Sequence, residues 1–250
     1  MDRRKFMGLA AGGSAAATLS KAGRMLGGPV PGCPKPLPPD PSTVSSGKLI
    51  IPTDTPDRFH AKIMEFNPVP ALNAATWELE VGGLVRRPLK LKLADLKRLP
   101  QVKQSSRMKC VQCWSTRIEW EGFRSKELFQ LAHPLPSATH VRFDCGDKYY
   151  DYDSLEEMLH PHVLLALRMN GEPLTPEHGA PLRLVIPWKY GYKYVKLITK
   201  ITFLNHGGQG LVADTWPYYT QGGNIQPGVD HPFDLPGQIR RIKGGEITDY

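Results

Sequence analysis

A short segment with two cysteines is the first part of this sequence whose residue types could do chemistry. It reads RMKCVQCWS over residues 107–115. The nearby cations Arg107 and Lys109 should favour the thiolate form of Cys110, and a thiolate is a good ligand for a soft or high-valent metal. Three other roles stay open for Cys110 at this point: a buried structural cysteine, a redox-active pair with Cys113, and half of a zinc site.

The surrounding sequence bears on these alternatives. Structural zinc needs two further ligands, and no second Cys-x-x-Cys or His-x-x-x-His follows at a suitable spacing. A thioredoxin-like pair requires a helix that starts at its first cysteine, whereas the chain after Cys110 is predicted to become a strand at Ile118. With Cys33 and Cys145 the chain has 4 cysteines, too few and too scattered for a disulfide scaffold. The roles of Cys33 and Cys113 stay open.

A second block with chemical potential reads NGEPLTPEHGAPLRLVIPWKYGYKYVK over residues 170–196. Its polar side chains fall at predicted strand ends and in glycine-containing turns, where backbone and side-chain donors can converge on a polyanion. Taken singly, His178 is typical of a surface histidine, and Lys193 and Lys196 are typical of solvated lysines. Taken together, the block indicates a site for a phosphorylated cofactor.

The elements that must position these two segments are predicted to be mainly short strands. Glycine and proline number 24 each, which is usual for strands joined by turns. Trp77, Leu79 and Val81 alternate with glutamates, the period of a half-buried strand. Further strands are predicted at 89–91, 118–120 with a turn at Gly122, 141–143, 163–167, 182–186 and 195–204, and short helices at 94–99, 125–132 and 153–159.

The net charge of +8 suggests nucleic acid as a partner, but the distribution of the charge argues against it. Residues 1–22 carry four cations and one anion, so the rest of the chain has a net charge of +5. No run of Lys and Arg interleaved with aromatic residues stands out in that remainder. We therefore expect no nucleic-acid partner.

The amino-terminal residues 1–22 are typical of a targeting segment. Arg3 and Arg4 are followed by a weakly apolar run from Met7 to Leu19 that holds three glycines, too short to span a bilayer. This pattern predicts a twin-arginine signal, which exports folded proteins, with an ordinary signal peptide or a disordered amino terminus as the alternative. Residues 23–56 are proline-rich and predict an extended linker, so we expect one folded domain over residues 57–250.

The second block resembles the pterin-binding signature of the sulfite oxidase family of molybdoenzymes, through HGAPLRLVIPWKYGYK at 178–193 and the Val-Lys that follows Tyr194. CVQCWS at 110–115 is similar to the metal-binding motif of that family. Trp216 and the segment VDHP at 229–232 resemble its carboxyl-terminal active-site loop. Within the family, the chain looks most like the periplasmic methionine-sulfoxide reductases, and the resemblance runs from about residue 53 to about residue 235.

The resemblance implies an α+β class with a sulfite-oxidase-type fold: strand-rich mixed sheets and a few short helices. It also implies an enzyme with a molybdenum-molybdopterin cofactor, in which Cys110 is the catalytic residue and the molybdenum ligand. His178 and Arg183 are expected to contact the pterin and its phosphate. The other cofactor contacts that the resemblance implies are His60, Lys62, Cys145, Lys193, Tyr194, Val195 and Lys196.

Three positions depart from the methionine-sulfoxide reductase pattern. Gln112 stands where those enzymes usually have a glutamate, so a carboxylate that could relay protons is absent there. Cys113 adds a thiol close to the metal ligand. His178 replaces an asparagine and is more like the sulfite oxidases proper. The Ala-Gly-Asn-Arg that follows the cysteine of sulfite oxidases is missing after Cys110, which disfavours sulfite as substrate.

These expectations combine into one function and two alternatives. We expect periplasmic oxygen-atom transfer that reduces a sulfoxide or a related S- or N-oxide, either a small molecule or protein-bound. No haem-attachment Cys-x-x-Cys-His is present, so electrons would come from a partner such as a membrane haem protein or a cytochrome. The first alternative is oxidation of sulfite or another small oxyanion, with electrons passed to a cytochrome. The second is a non-catalytic binding module of the same fold.

Overall fold

The structure is a computed structural model that describes residues 66–70, 72–110, 115–215, 219–225, 229–230 and 240–241. The predicted signal segment and linker lie outside the described residues, as do the candidate cofactor contacts His60 and Lys62. Gln112 and Cys113 lie outside them too. In the described part of the chain, most elements are strands in two five-stranded sheets, with a few short helices. The predicted α+β class is confirmed.

The first sheet has the strand order β2-β1-β10-β5-β6. The neighbouring strands β1 and β10 are parallel, and the other neighbouring strands of this sheet are antiparallel. The alternation that predicted β1 is seen directly, because Leu79 and Val81 are buried while Glu78 and Glu80 are exposed. The strands are β1 (Glu78–Gly83), β2 (Leu89–Lys92), β5 (His140–Cys145), β6 (Tyr150–Ser154) and β10 (Ile198–Leu204).

The second sheet has the order β3-β4-β7-β8, with β9 also paired to β7. All of its pairs are antiparallel. Its strands are β3 (Gln101–Lys109), β4 (Ser115–Arg124), β7 (Leu164–Met169), β8 (Glu172–Pro173) and β9 (Arg183–Val185). A separate two-stranded pair is formed by β11 (Val229–Asp230) and β12 (Arg240–Arg241). The two sequence blocks therefore both contribute to the second sheet.

The turn predicted at Gly122 is wrong. Strand β4 continues through Gly122 to Arg124, and its register against β7 shifts between Glu121 and Gly122. A Cβ added at Gly122 would collide with the carbonyl oxygen of Leu165 on β7. The glycine therefore permits a close approach of two backbones within the sheet, a role that glycine in a strand often has.

The described helices are short: α1 (Leu93–Leu96), α2 (Ser125–Ala132), α3 (Leu155–Met158) and α4 (Leu211–Thr215), with a 3-10 turn at Gly191–Lys193. Asp153 was expected to begin the third helix, but Ser154 caps it, since the Ser154 hydroxyl accepts from the Glu157 amide at 3.1 Å. The carboxylate of Asp153 is buried instead. Among the described residues, no helix is long and apolar enough to cross a membrane.

Two clusters of buried side chains form the core. The larger one contains Leu79, Phe143 and Phe203 and packs around the first sheet. The smaller one gathers Met108 and Cys110, from the end of β3, with residues of the second sequence block. This second cluster is where the candidate chemistry lies.

Candidate cofactor site

Cys110 is a buried thiol that directly follows β3. The preceding residue, Lys109, forms a parallel bridge with Tyr190. A Cβ added at Gly191 would lie 3.4 Å from the Lys109 carbonyl oxygen and 3.8 Å from the Cys110 Cα. The fold thus brings the cysteine segment and the second block together, although they are far apart in the sequence.

Arg183 connects the same two regions through its side chain. It begins β9 and is only 5% exposed. Its Nη1 donates to the His178 carbonyl oxygen at 3.0 Å, and its Nη2 donates to the Met108 Sδ at 3.2 Å. The guanidinium carbon lies 5.2 Å from the Trp120 ring centroid and 5.9 Å from that of Tyr194. A cation is therefore held beside the segment that carries Cys110.

The charge of Arg183 is not balanced by a carboxylate among the described residues, and its Nε has no hydrogen-bond partner there. Burial lowers the pKa of Arg183 to about 10, so the guanidinium remains protonated at neutral pH. A buried cation that lacks an anion is costly, and hydrogen bonds to neutral groups offset only part of that cost. The site is electrostatically prepared for an anionic group.

The loop around His178 lies against the segment that precedes β10. Lys196 donates from its Nζ to the Glu177 carbonyl oxygen at 2.7 Å. Gly179 has a φ of +107°, and a Cβ added there would lie 3.0 Å from the Lys196 Cβ. The His178 ring is held by a 2.9 Å hydrogen bond between its Nδ1 and the Thr175 hydroxyl. The structure thus brings together His178, Arg183, Tyr194 and Lys196, and their contact with a cofactor stays a prediction. The Val195 carbonyl oxygen accepts from the Leu184 amide at 2.9 Å.

Cys145 lies on the side of the first sheet. It ends β5, pairs with Ile198 and is buried in the larger core cluster. Burial, reinforced by the nearby carboxylates of Asp147 and Asp144, raises the pKa of the Cys145 thiol well above its usual value, and Lys196 opposes this only in part. Cys145 is therefore a protonated thiol at neutral pH. Its contact with a cofactor stays a prediction.

Lys193 has a different environment from the one expected of a cofactor contact. Its fully buried ammonium donates to the Asp151 Oδ1 at 2.6 Å and to the Tyr152 carbonyl oxygen at 2.8 Å, and it lies 3.4 Å from the Asp153 Oδ1. Burial lowers the pKa of Lys193, but the Asp151 and Asp153 carboxylates outweigh burial and raise it overall. These contacts give no support to the predicted cofactor contact, because the charge of Lys193 is already balanced.

Lys193 belongs to a buried ion cluster that sequence reasoning missed. It is formed by Asp151, Asp153, Lys189 and Lys193, with the partly exposed Glu157 at its edge. The Lys189 Nζ lies 2.9 Å from the Glu157 Oε1 and 3.4 Å from the Asp153 Oδ1. Asp151 and Asp153 alternate with tyrosines along β6, so both face inward. That period-2 placement of two acids in a strand was a signal available in the sequence.

The family comparison agrees with this geometry. A family model described as an oxidoreductase molybdopterin binding domain matches residues 66–212. That match spans more than half of the chain. The chain belongs to this family. It is a molybdopterin-binding oxidoreductase with a sulfite-oxidase-type fold, as its sequence motifs indicated.

Relatives of this molybdopterin-binding oxidoreductase include two protein-methionine-sulfoxide reductase catalytic subunits. The chain is 38% identical to that of Gluconobacter oxydans over 189 residues, covering 67% of this chain and 58% of the relative. It is 32% identical to that of Campylobacter jejuni over 182 residues, covering 64% and 60%. The chain therefore spans about three fifths of the length of these relatives.

A solved structure shares the fold. The sulfane dehydrogenase SoxCD from Paracoccus pantotrophus superposes with a TM-score of 0.59 at 20% sequence identity, covering 87% of this chain and 62% of that one. At this level of identity the likeness concerns the fold alone. It agrees with the mixed, strand-rich architecture of the two sheets.

The residues present fit a molybdopterin group on structural grounds. Cys110 offers a buried sulfur, and a molybdenum ion would take it as a thiolate ligand. Arg183 offers a buried positive charge whose Nε has no hydrogen-bond partner among the described residues, which suits an anionic phosphate. In the described part of the chain, no group of three or more His, Cys, Asp or Glu side chains is arranged around a metal position. The cofactor would be held by Cys110, His178, Arg183 and Lys196.

Arg183→Met should weaken cofactor retention and leave the cofactor-free chain at least as stable as the wild type. The substitution removes a charge-assisted contact worth about 1.5 to 3 kcal/mol, roughly ten- to 150-fold in affinity. It also removes an unbalanced buried charge from the empty site. Molybdenum content after dialysis and the thermal midpoint of the cofactor-free chain measure the two effects.

Arg168→Met, at a half-exposed site, is the control. Unchanged molybdenum content in Arg183→Met would contradict the phosphate role.

Asp153 should make stability depend on pH in a defined direction. Burial, opposed by Lys193 and reinforced by Asp151, raises the pKa of Asp153 to about 7. A carboxyl with a raised pKa binds its proton more tightly in the folded chain than in the unfolded chain. Its contribution to stability therefore grows as the pH falls from about 7 toward 3.8, the ordinary pKa of an aspartate. That contribution is lost as the pH rises through 7. The free energy of unfolding of wild type relative to Asp153→Asn should therefore increase between pH 8 and pH 5, by up to about 1 kcal/mol per pH unit.

The control for this titration is Asp95→Asn, since Asp95 forms an ion pair with Arg98 at the surface. Its difference from wild type should stay nearly constant over the same pH range. Denaturant unfolding at several pH values gives both comparisons. A difference between wild type and Asp153→Asn that does not change with pH would show that Asp153 has an ordinary pKa.

Proposed function

We propose that this chain reduces a sulfoxide, or a related S- or N-oxide, by oxygen-atom transfer at a molybdenum centre that has Cys110 as its protein ligand. One observation carries the proposal: the buried, unbalanced guanidinium of Arg183 donates to Met108 at 3.2 Å, two residues before Cys110. A sulfur ligand and an anion anchor thus lie within one cluster. The direction of the reaction is supported by the relatives at 38% and 32% identity, which are named as reductases.

The residues of the chain would act by binding and orientation. When bound, molybdenum supplies the two-electron chemistry of oxygen-atom transfer, and the protein fixes its position and the access to it. Cys110 would orient the metal from the end of β3, while Arg183, His178 and Lys196 would hold the pterin and its phosphate. Burial of Cys110, His178 and Arg183 keeps water from competing for the same contacts.

The overall reaction needs reactants from outside the chain. Reduction of a sulfoxide to a sulfide consumes two electrons and two protons and releases one water. We propose that the electrons come from a membrane haem protein or a cytochrome, and that the protein works in the periplasm after export by the twin-arginine route. The paired Arg3 and Arg4 support the export route.

A second function has one observation in its favour. His178 stands where the methionine-sulfoxide reductases have an asparagine, and in this it is similar to the sulfite oxidases. Oxidation of sulfite or another small oxyanion, with electrons passed to a cytochrome, is therefore the alternative. A binding module without metal is the third possibility.

One pair of assays separates these functions. The purified protein should turn over methionine sulfoxide with a reduced dye and should not oxidise sulfite with an oxidised acceptor. Elemental analysis should find about one molybdenum per chain, and the metal content should collapse in Cys110→Ser because the sulfur ligand is lost. Cys33→Ser, in the predicted linker, should keep its metal. Turnover of sulfite alone would reject the proposed direction, and a chain without molybdenum would favour the binding module.

Export has its own test. Replacing Arg3 and Arg4 together by lysine keeps the charge but removes the twin-arginine pair. We expect the double variant to accumulate in the cytoplasm when expressed in a bacterium with a twin-arginine system, while the wild type reaches the periplasm. Cell fractionation followed by immunoblotting measures this. Equal periplasmic amounts of both proteins would reject the twin-arginine route.

A further inference from the structure

The segment 189–194 contacts the Cys110 region with one side and the buried ion cluster with the other. On the first side, Tyr190 bridges to Lys109, and Tyr190 and Tyr194 belong to the same core cluster as Cys110. On the second side, Lys189 and Lys193 send their ammonium groups to carboxylates on and after β6. The segment 189–194 therefore connects the ion cluster to the backbone next to Cys110.

A third layer fixes the segment from the carboxyl-terminal direction. The Lys189 Nζ donates to the Gly222 carbonyl oxygen at 2.7 Å, and the Tyr190 amide donates to the Gly223 carbonyl oxygen at 2.7 Å. A Cβ added at Gly223, which has a φ of +61°, would lie 2.5 Å from the Lys193 Cγ. The stem of Lys193 is thus enclosed, and its ammonium has little freedom to leave Asp151.

The electrostatics of the cluster make its geometry strict. Lys189 and Lys193 are 1% and 0% exposed, and Asp151 and Asp153 are 2% and 4% exposed. Ions buried to this degree are tolerated only when paired in good geometry. The shortest contact is the 2.6 Å pair between Lys193 and Asp151, and Asp153 lies 3.4 Å from both ammonium groups. Charge pairing, more than apolar packing, sets where the two lysines lie.

We propose that Asp151 and Lys193 are positioning residues of the cofactor site: their ion pair holds segment 189–196 so that Tyr190, Gly191 and Tyr194 lie correctly against Cys110 and Arg183. Lys193 acts through this pair and does not touch the cofactor. The inference rests on the proposed role of Cys110 as the metal ligand. The buried ion cluster would thus have a function in addition to its effect on stability.

A double substitution separates positioning from stability. Lys193→Met alone leaves buried carboxylates uncompensated, so the thermal midpoint and the molybdenum content should both fall. In Asp151→Asn/Lys193→Met both charges are gone, and removal of a whole buried pair is often neutral for folding. The midpoint should therefore recover toward the wild-type value. Cofactor affinity should stay about tenfold lower, the size of effect usual for groups that orient metal ligands.

A spectroscopic readout completes the test. The absorption band from the Cys110 thiolate to molybdenum should shift in the double variant, because the backbone next to the ligand has moved. Wild-type molybdenum content together with an unchanged band in a stable double variant would overturn the proposal. If the double variant does not fold, Asp151→Asn takes its place, since it removes the charge of the 2.6 Å partner of Lys193. A lowered content and a shifted band support the proposal there too, and unchanged values overturn it.

Two controls keep the proposals distinguishable. Lys200→Met removes a lysine whose ion pair with Glu80, at 2.8 Å, is exposed on the first sheet, and it should leave the molybdenum content and the band unchanged. Cys110→Ser tests the metal ligand itself. Full molybdenum content in Cys110→Ser would overturn the ligand assignment, whereas failure of the positioning role appears in the charge-pair variants alone.

Discussion

Arg183 carries a buried positive charge that no carboxylate balances in the described part of the chain, and this charge constrains the second core cluster. The Arg183 guanidinium donates to a carbonyl oxygen and a thioether and lies over two aromatic rings, but none of these groups carries a full negative charge. Desolvation acts on the whole charge, and dipoles and ring quadrupoles offset only a part of it. β3, β9 and the His178 loop place this charge where a bound anion could offset the remaining desolvation cost.

The two charged sites of the protein illustrate opposite solutions to burial. The cluster around Lys193 contains both signs and is complete within the chain, so it acts as a fixed internal structure. Among the residues that the structure describes, no carboxylate balances Arg183, which suits a site that binds an anion. Lys193 and Arg183 are both cationic and only ten positions apart in the sequence, but their charges have different surroundings.

The strands could be predicted from the sequence because alternation at positions such as Leu79 and Val81 is a local property. The turn expected at Gly122 was wrong because a glycine that permits two strands to approach looks, in the sequence, like a glycine that permits a turn. Lys193 was predicted to contact the cofactor because the motif that contains it resembles a pterin-binding signature. In the structure its ammonium pairs with Asp151 on β6, and no local sequence pattern reports a contact of that range. That Cys110 would lie near the second block was predicted from the family resemblance. Residue spacing alone left several roles open for this cysteine.

The parallel pairing of β1 with β10 affects how the chain is made. Glu80 lies beside Lys200 in that pair. β1 can pair early with β2, but its other edge must wait until β10 has been synthesised, more than 100 residues later. Contacts between such distant positions form late and slow the folding of a domain. Until then the edge of β1 that faces away from β2 is unpaired, and an unpaired strand edge is prone to aggregation. During synthesis, the chain therefore has a vulnerable interval that ends only when β10 arrives.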